Sequence, residues 1–308
     1  MSAPERFDHF MARANAAYYA TNNPFEDFTT APELTQVFGE LLGAWAKTVW
    51  QMMGAPEHTL LVEAGPGRGT LMRDALRVWP EAEVHFIETS PRLREEQRAR
   101  VPQAIWHDSL ASLPPGPMIL LANEFLDALP VRQFIRTQTG WAERWVENGT
   151  YTERPSEFPL PDDPVGTIRE INEAALAFCA ALEARGAVAL FIDYGPMQSA
   201  AGSSVQAIRA GKYADPLAEP GAADLTAHVD FAAIASRFST QGPVKQNAFL
   251  TALGLFQRTD FLAQKNPEQA EALRLSARRL TAPEAMGSLF KALVLCPKEL
   301  PKLPGLES

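Results

Sequence analysis

The sequence predicts an α/β protein built on a doubly wound, Rossmann-like sheet. Three observations predict it: short apolar strands alternate with helical segments from residue 59 onward, a glycine-rich turn follows the first strand, and acidic residues close the next ones. Strands that are apolar at nearly every position must be covered on both faces, the condition of a parallel sheet between two helix layers. They read as TLLVEA (59–64), VHFIET (84–89), AIWHDS (104–109), MILLAN (118–123) and VALFID (188–193), with helices near 70–79, 91–100 and 168–185.

Two helices are expected ahead of the sheet. Phe7, Phe10, Met11, Ala14 and Tyr18 recur at helical spacing, and after the polar stretch ATNNPFEDFTT so do Leu34, Val37, Phe38, Leu41, Leu42 and Trp45. Thr30 and Glu33 have the spacing of a capping box with Pro32 in the first turn, so the second helix is expected to start there. Residues 1–58 are accordingly read as an N-terminal helical lid on a domain spanning 59–308, the whole forming one structural unit.

Within that domain, VRQFIRTQTGWAERWVENG predicts an inserted antiparallel hairpin over 131–150, turning at Gln138, Thr139 and Gly140. Residues 195–250 are read as a loop and helical insert. Its Gly-, Ser- and Pro-rich part to about residue 223 is expected to be a mobile, surface-covering excursion. Helices near 229–238 and 267–280 and a late strand at 287–296 follow. Proline breaks the tail KELPKLPGLES, which is expected to be loosely ordered.

A hydrophobic fraction of 46% over 308 residues supports a large core, and a net charge of −9 argues against a general phosphate-binding face, hence against nucleic acid as partner. Cys179 and Cys296 each stand alone in apolar segments, which fits buried thiols in a reducing cytosol. Glu5 and Asp8 and the absence of a central apolar run fit neither a signal nor a transit sequence. Runs such as MILLA (118–122) are too short to span a bilayer. The expectation is a cytoplasmic protein without membrane insertion.

The stretch LLVEAGPGRGTL (60–71) carries the chemistry. Gly65, Gly67 and Gly69 let the backbone bend sharply out of a strand and leave no side chains between main chain and ligand. The dinucleotide fingerprint needs a glycine where Thr70 stands, and no Gly-Lys-Ser/Thr follows for a phosphate loop. What remains is the E-x-G-x-G-x-G form of S-adenosylmethionine methyltransferases.

Ligands of open α/β sheets bind outside the carboxyl ends of the strands. Glu63 closes the first strand, placed for the cofactor's amino group. Glu88 closes the second, placed for both ribose hydroxyls, and Asp108 closes the third, placed for the adenine amino group. The fourth runs into NEFLDALP, which brings Asn123, Glu124 and Asp127 to the mouth. Two carboxylates three residues apart suit a cationic nitrogen nucleophile, because they can orient a guanidinium bidentately; Asn123 or Asp127 as a plain helix cap is the simpler alternative. Asp224, His228 and Asp230 in DLTAHVDF could meet as an acid/base or metal set, or serve as cap and structural hydrogen bonds; spacing alone supports no metal.

DFTTAPELTQVFGELLGAW, VEAGPGRGTLMRDALR, IETSPRLREEQ, NEFLDALPVRQF, WAERWV, IDYG, DLTAHVDF and MGSLFKALVL, in that order from about residue 18 to 296, resemble the MidA family of S-adenosylmethionine-dependent methyltransferases. The resemblance implies a class I methyltransferase fold with helical and hairpin insertions. It also implies protein arginine methylation, known of the mitochondrial branch as symmetric dimethylation in a respiratory complex I subunit. Glu26 stands where the family has a glycine, in a shortened loop, and Gly211 where it tends to have a histidine. The leading expectation is a protein arginine methyltransferase acting on a respiratory complex subunit. Alternatives are a small-molecule methyltransferase and a non-catalytic assembly factor that binds the cofactor.

Overall fold

The structure is a computed structural model that describes residues 3–22 and 29–307; Glu26 therefore lies outside the described residues. In chain order the strands are β1 Glu5–Arg6, β2 Leu60–Ala64, β3 Glu83–Ile87, β4 Ile105–His107, β5 Met118–Asn123, β6 Arg132–Thr137, β7 Gly140–Glu147 and β8 Thr150–Ser156. They continue as β9 Ile168–Ile171, β10 Val188–Tyr194, β11 Gln206–Arg209, β12 Lys212–Ala214, β13 Asp224–Thr226, β14 Thr240–Lys245 and β15 Phe290–Leu295. The chain forms two compact units. One comprises Met1–Phe28, Asp127–Ala177 and Gln198–Asp230, the other Thr29–Leu126, Phe178–Met197 and Phe231–Ser308. The two N-terminal helices that the sequence groups in one segment thus fall in different units.

The second unit holds a seven-stranded sheet in the order β14-β15-β10-β5-β2-β3-β4. From β10 to β4 all neighbours are parallel, as the apolar runs predict, whereas β15 runs antiparallel to both β10 and β14. The chain leaves β2 toward β3 and β4 and returns on the other side of β2 as β5, which creates a topological switch between β2 and β5. Buried Phe38, Leu42, Trp45 and Val49 of the helix Gln36–Met52 join Leu61, Leu71, Ile119 and Leu190 in one core.

Local expectations are corrected in five places, the last of them in the first unit. Thr30 makes no side-chain cap: a four-residue helix Ala31–Leu34 comes first, and Thr35 caps the long helix through Val37 N–H at 3.3 Å. Glu33 instead accepts from the Thr70 hydroxyl. The segment 168–185 begins as β9 and becomes helix only at Glu173, where Asn172 Oδ1 accepts from Ala175 N–H at 2.7 Å. Residues 240–245, expected in a loop and helical insert, form the edge strand β14. The tail is docked, with Leu303 and Leu306 in the core and Trp45 Nε1 donating to Pro304 O at 3.2 Å.

The first unit contains a five-stranded antiparallel sheet in the order β1-β7-β6-β9, with β8 also paired to β7, so the expected 131–150 hairpin is its β6–β7 pair. The glycine-rich excursion is structured rather than a bare loop: β11 pairs with β12 and β13. Ala210 and Gly211 form the two-residue turn between β11 and β12 with φ of +50° and +69°. A glycine there meets a backbone requirement. The helix Phe7–Thr21 buries Phe7, Phe10, Met11 and Ala14 against Val131, Val146, Leu217 and Leu225.

Candidate functional site

Adjacent strands β2 and β5 are in register, with Ala64 opposite Ala122, so the glycine loop and the Asn123–Glu124 turn leave neighbouring strand ends at the topological switch. Gly65, Gly67 and Gly69 have φ of +64°, +54° and +79°, a left-handed path that glycine takes without steric cost. A Cβ on Gly65 would stand 2.9 Å from the Phe125 ring, so the two loops pack closely at that point.

Glu63 is buried in β2, and its Oε2 has no hydrogen-bond partner among the described residues. Burial holds its carboxyl well above the usual 4.5, against a smaller opposing pull from the Met72 backbone N–H. A buried acceptor without a donor is the kind of group an incoming ammonium or hydroxyl can satisfy.

Glu88 follows β3 directly and is 9% exposed. Its Oε1 accepts from Ser90 N–H at 2.7 Å and its Oε2 from Gln97 Nε2 at 3.2 Å. Burial raises its pKa, and the Ser90 and Gln97 donors oppose the rise. Asp108 differs: its side chain is 83% exposed and pairs with Arg94 Nη2 at 2.6 Å.

Asn123 ends β5, and its Oδ1 is buried without a hydrogen-bond partner among the described residues. Its amide donates to Glu124 Oε1 at 3.1 Å, and the same oxygen accepts from Ala31 N–H at 3.2 Å. Glu124 has φ of +52°, uncommon for a residue with a side chain. The turn is pinned from β10: Glu124 N–H donates to Ile192 O at 2.9 Å, and Phe125 and Leu126 N–H donate to Asp193 Oδ2 at 3.1 and 2.9 Å.

Asp127 belongs to the first unit, where it is buried and its carbonyl accepts from Ala227 N–H at 2.9 Å. In the same unit the Tyr19 hydroxyl donates to Asp224 Oδ1 at 2.9 Å, and burial with Asp224 and Asp127 nearby drives the phenol well above its ordinary 10.0. His228 N–H donates to Ser204 Oγ at 2.8 Å, and Ser199 Oγ donates to Asp230 Oδ1 at 2.9 Å. Among the described residues no group of three or more His, Cys, Asp or Glu could hold a metal ion.

Two residues that organise these strand ends, Gln97 and Asp193, escape the sequence reading. Gln97 sits inside a highly charged helix and Asp193 merely ends an apolar run. Gln97 bonds Gly67, 30 residues away, as well as Glu88 and Trp106, and the partners of Asp193 lie 67 or 68 residues away, so only the topology reveals them.

The chain matches known proteins along most of its length. A family model described as "Putative S-adenosyl-L-methionine-dependent methyltransferase" matches residues 41–248. The Drosophila melanogaster protein named "Protein arginine methyltransferase NDUFAF7 homolog, mitochondrial" is 33% identical, over 93% of this chain and 79% of its own. The Homo sapiens "Protein arginine methyltransferase NDUFAF7, mitochondrial" is 31% identical, over 89% and 74%. A COG1565 superfamily protein from Burkholderia thailandensis has a TM-score of 0.82 at 26% identity, covering 98% of this chain and 90% of its own. A crystal structure of a COG1565 superfamily member from the same organism, bound to S-adenosyl-homocysteine, shares the fold with a TM-score of 0.82 at 23% identity, covering 97% and 89%. The mitochondrial designation of the relatives overturns the expectation of a cytoplasmic protein.

Proposed function

We propose, from the premise that this chain belongs to the S-adenosyl-L-methionine-dependent methyltransferase family, that it methylates a protein on an arginine side chain. The observation that carries this reading is the pairing, at one topological switch, of a glycine loop beside a buried carboxylate whose Oε2 has no donor among the described residues with a turn bearing Asn123 and Glu124. Relatives named protein arginine methyltransferases support the choice of acceptor.

S-adenosylmethionine, when bound, supplies an electrophilic methyl group on sulfur. The residues present fit it. Gly65, Gly67 and Gly69 clear the backbone, Glu63 Oε2 would accept from the amino group, and Glu88 would accept from the ribose hydroxyls. Asp108, exposed and held by Arg94, is assigned to the adenine amino group. Glu124 and Asn123 bind and orient a guanidinium, for which a carboxylate is both a planar acceptor and a countercharge. From the family resemblance, the acceptor protein is a respiratory complex subunit.

The test is incubation with methyl-labelled cofactor and a cell lysate, followed by mass spectrometry of labelled bands. Label on arginine is expected, and Glu124→Gln should lose it while keeping affinity for S-adenosylhomocysteine. Label confined to low-mass products would favour a small-molecule acceptor, and an undiminished rate in Glu124→Gln would remove that residue from the reaction.

A further inference from the structure

Gln97 is fully buried on the helix Pro91–Arg100. Its Nε2 donates to Gly67 O at 2.7 Å and to Glu88 Oε2 at 3.2 Å, while its Oε1 accepts from Trp106 Nε1 at 2.8 Å. An indole N–H can only donate, so the amide has one orientation: oxygen toward the indole, nitrogen toward the carbonyl and the carboxylate. Both amide protons are thereby committed, one to the glycine loop and one to the acid after β3. A Cβ added at Gly69 would lie 3.5 Å from Gln97 Cα and Cγ, so the loop passes close to this residue. One side chain thus bridges two segments that are far apart in sequence.

We propose that Gln97 is a positioning residue for the cofactor: it fixes the Glu88 carboxylate against the glycine loop, so that the affinity gained from the ribose hydroxyls depends on it. The inference rests on the role assigned to Glu88 above. A donor on Oε2 leaves that oxygen one free lone pair and a fixed direction for it. Without the amide, Glu88 keeps Ser90 N–H on Oε1 but loses what orients its other oxygen.

The test is calorimetry on the full chain with S-adenosylhomocysteine and with its analogue lacking both ribose hydroxyls. Four proteins are compared: wild type, Gln97→Met, Gln97→Glu and Glu88→Ala. Gln97→Met keeps the length and removes both donors; Gln97→Glu keeps the acceptor for Trp106 and sets a second carboxylate against Glu88. Each should bind S-adenosylhomocysteine about tenfold or more weakly than wild type, since a hydrogen bond to a charged group is lost. Neither should lose much affinity for the dideoxy analogue, which has no hydroxyls to present. A merely structural role would weaken both ligands alike, and that result overturns the proposal. Wild-type affinity for S-adenosylhomocysteine in both Gln97 variants overturns it too. If Glu88→Ala also binds as tightly as wild type, the Glu88 assignment falls and takes this inference with it; a loss in Glu88→Ala alone removes only the inference. Should Gln97→Met fail to fold, the near-isosteric Gln97→Glu decides.

Discussion

Glu124 holds φ at +52°, a left-handed conformation that costs a residue with a side chain roughly 1–2 kcal/mol. Strain of this kind persists only where the surroundings over-determine it, and here three consecutive N–H groups are fixed by Ile192 and Asp193. Glu124→Gly and Glu124→Ala both lose the carboxylate, but only glycine accepts the backbone without strain. Urea denaturation is expected to show Glu124→Gly more stable than Glu124→Ala by about 1 kcal/mol; equal midpoints would show that the turn relaxes freely. Glu63 gives a pH signature. Its carboxyl, lifted by burial well above 4.5, stays protonated over a wider range in the free protein, and a cationic amino group beside it favours the ionised form. Binding of S-adenosylhomocysteine should therefore release a proton, and affinity should climb as pH rises through the raised value. Stability of the free protein runs the other way, since a raised acid pKa in the folded state is a contribution lost as pH increases. Calorimetry in buffers of different ionisation enthalpy, from about pH 5 to about pH 8, checks both signs. The strand-end positions of Glu63, Glu88, Asn123 and Glu124 were legible because such positions are written in local sequence. Gln97 and Asp193 were not, because hydrogen bonds across crossovers have no local pattern.

Gly39 and Gly43 allow the helix Gln36–Met52 to touch the helix Thr70–Ala75, which follows the glycine loop. A Cβ on Gly39 would stand 2.7 Å from Leu71 O, and one on Gly43 would stand 2.5 Å from Ala75 O. Both obstacles are backbone, so neither can swing away. Alanine at an exposed helix position gains up to about 1 kcal/mol over glycine, but overpacking costs typically 1–3 kcal/mol. Gly43→Ala should thus be destabilising in urea, and any net stabilisation would contradict the close approach. The apolar stripe of this helix was readable from its period. Its start was not, because the Glu33 expected in a local capping box bonds a hydroxyl 37 residues away. Strand β14 escaped for a related reason: Gly242 and Pro243 read as a loop, yet on an edge strand a proline and an irregular register are tolerated.

At the scale of the whole molecule, the proline-broken tail shows what composition cannot report. Proline excludes regular structure but not docking, and Leu303 is fully buried among the main-sheet core residues while Gln241 bonds both Pro301 O and Leu303 N. Leu303→Ala should cost about 2–5 kcal/mol, as for a core leucine. A value within the scatter of surface substitutions would mean that the tail does not contribute to the core. The sheet and its switch point followed from alternating strands and helices, whereas the split into two units did not, because each unit is assembled from three separate stretches of chain.

Strand β15 lies between β10 and β14 and is later in sequence than every other described strand. Synthesis delivers the chain in order, and segments that can close on themselves fold first. The stretches of the first unit run only to Asp230, so all of them can leave the ribosome while β14 still lacks its neighbour. During that interval β10 presents an unpaired apolar edge, a template for association with other chains. Between translation of Tyr194 and of Leu295, β10 therefore has β5 as its one sheet neighbour, and β15 closes its other edge last.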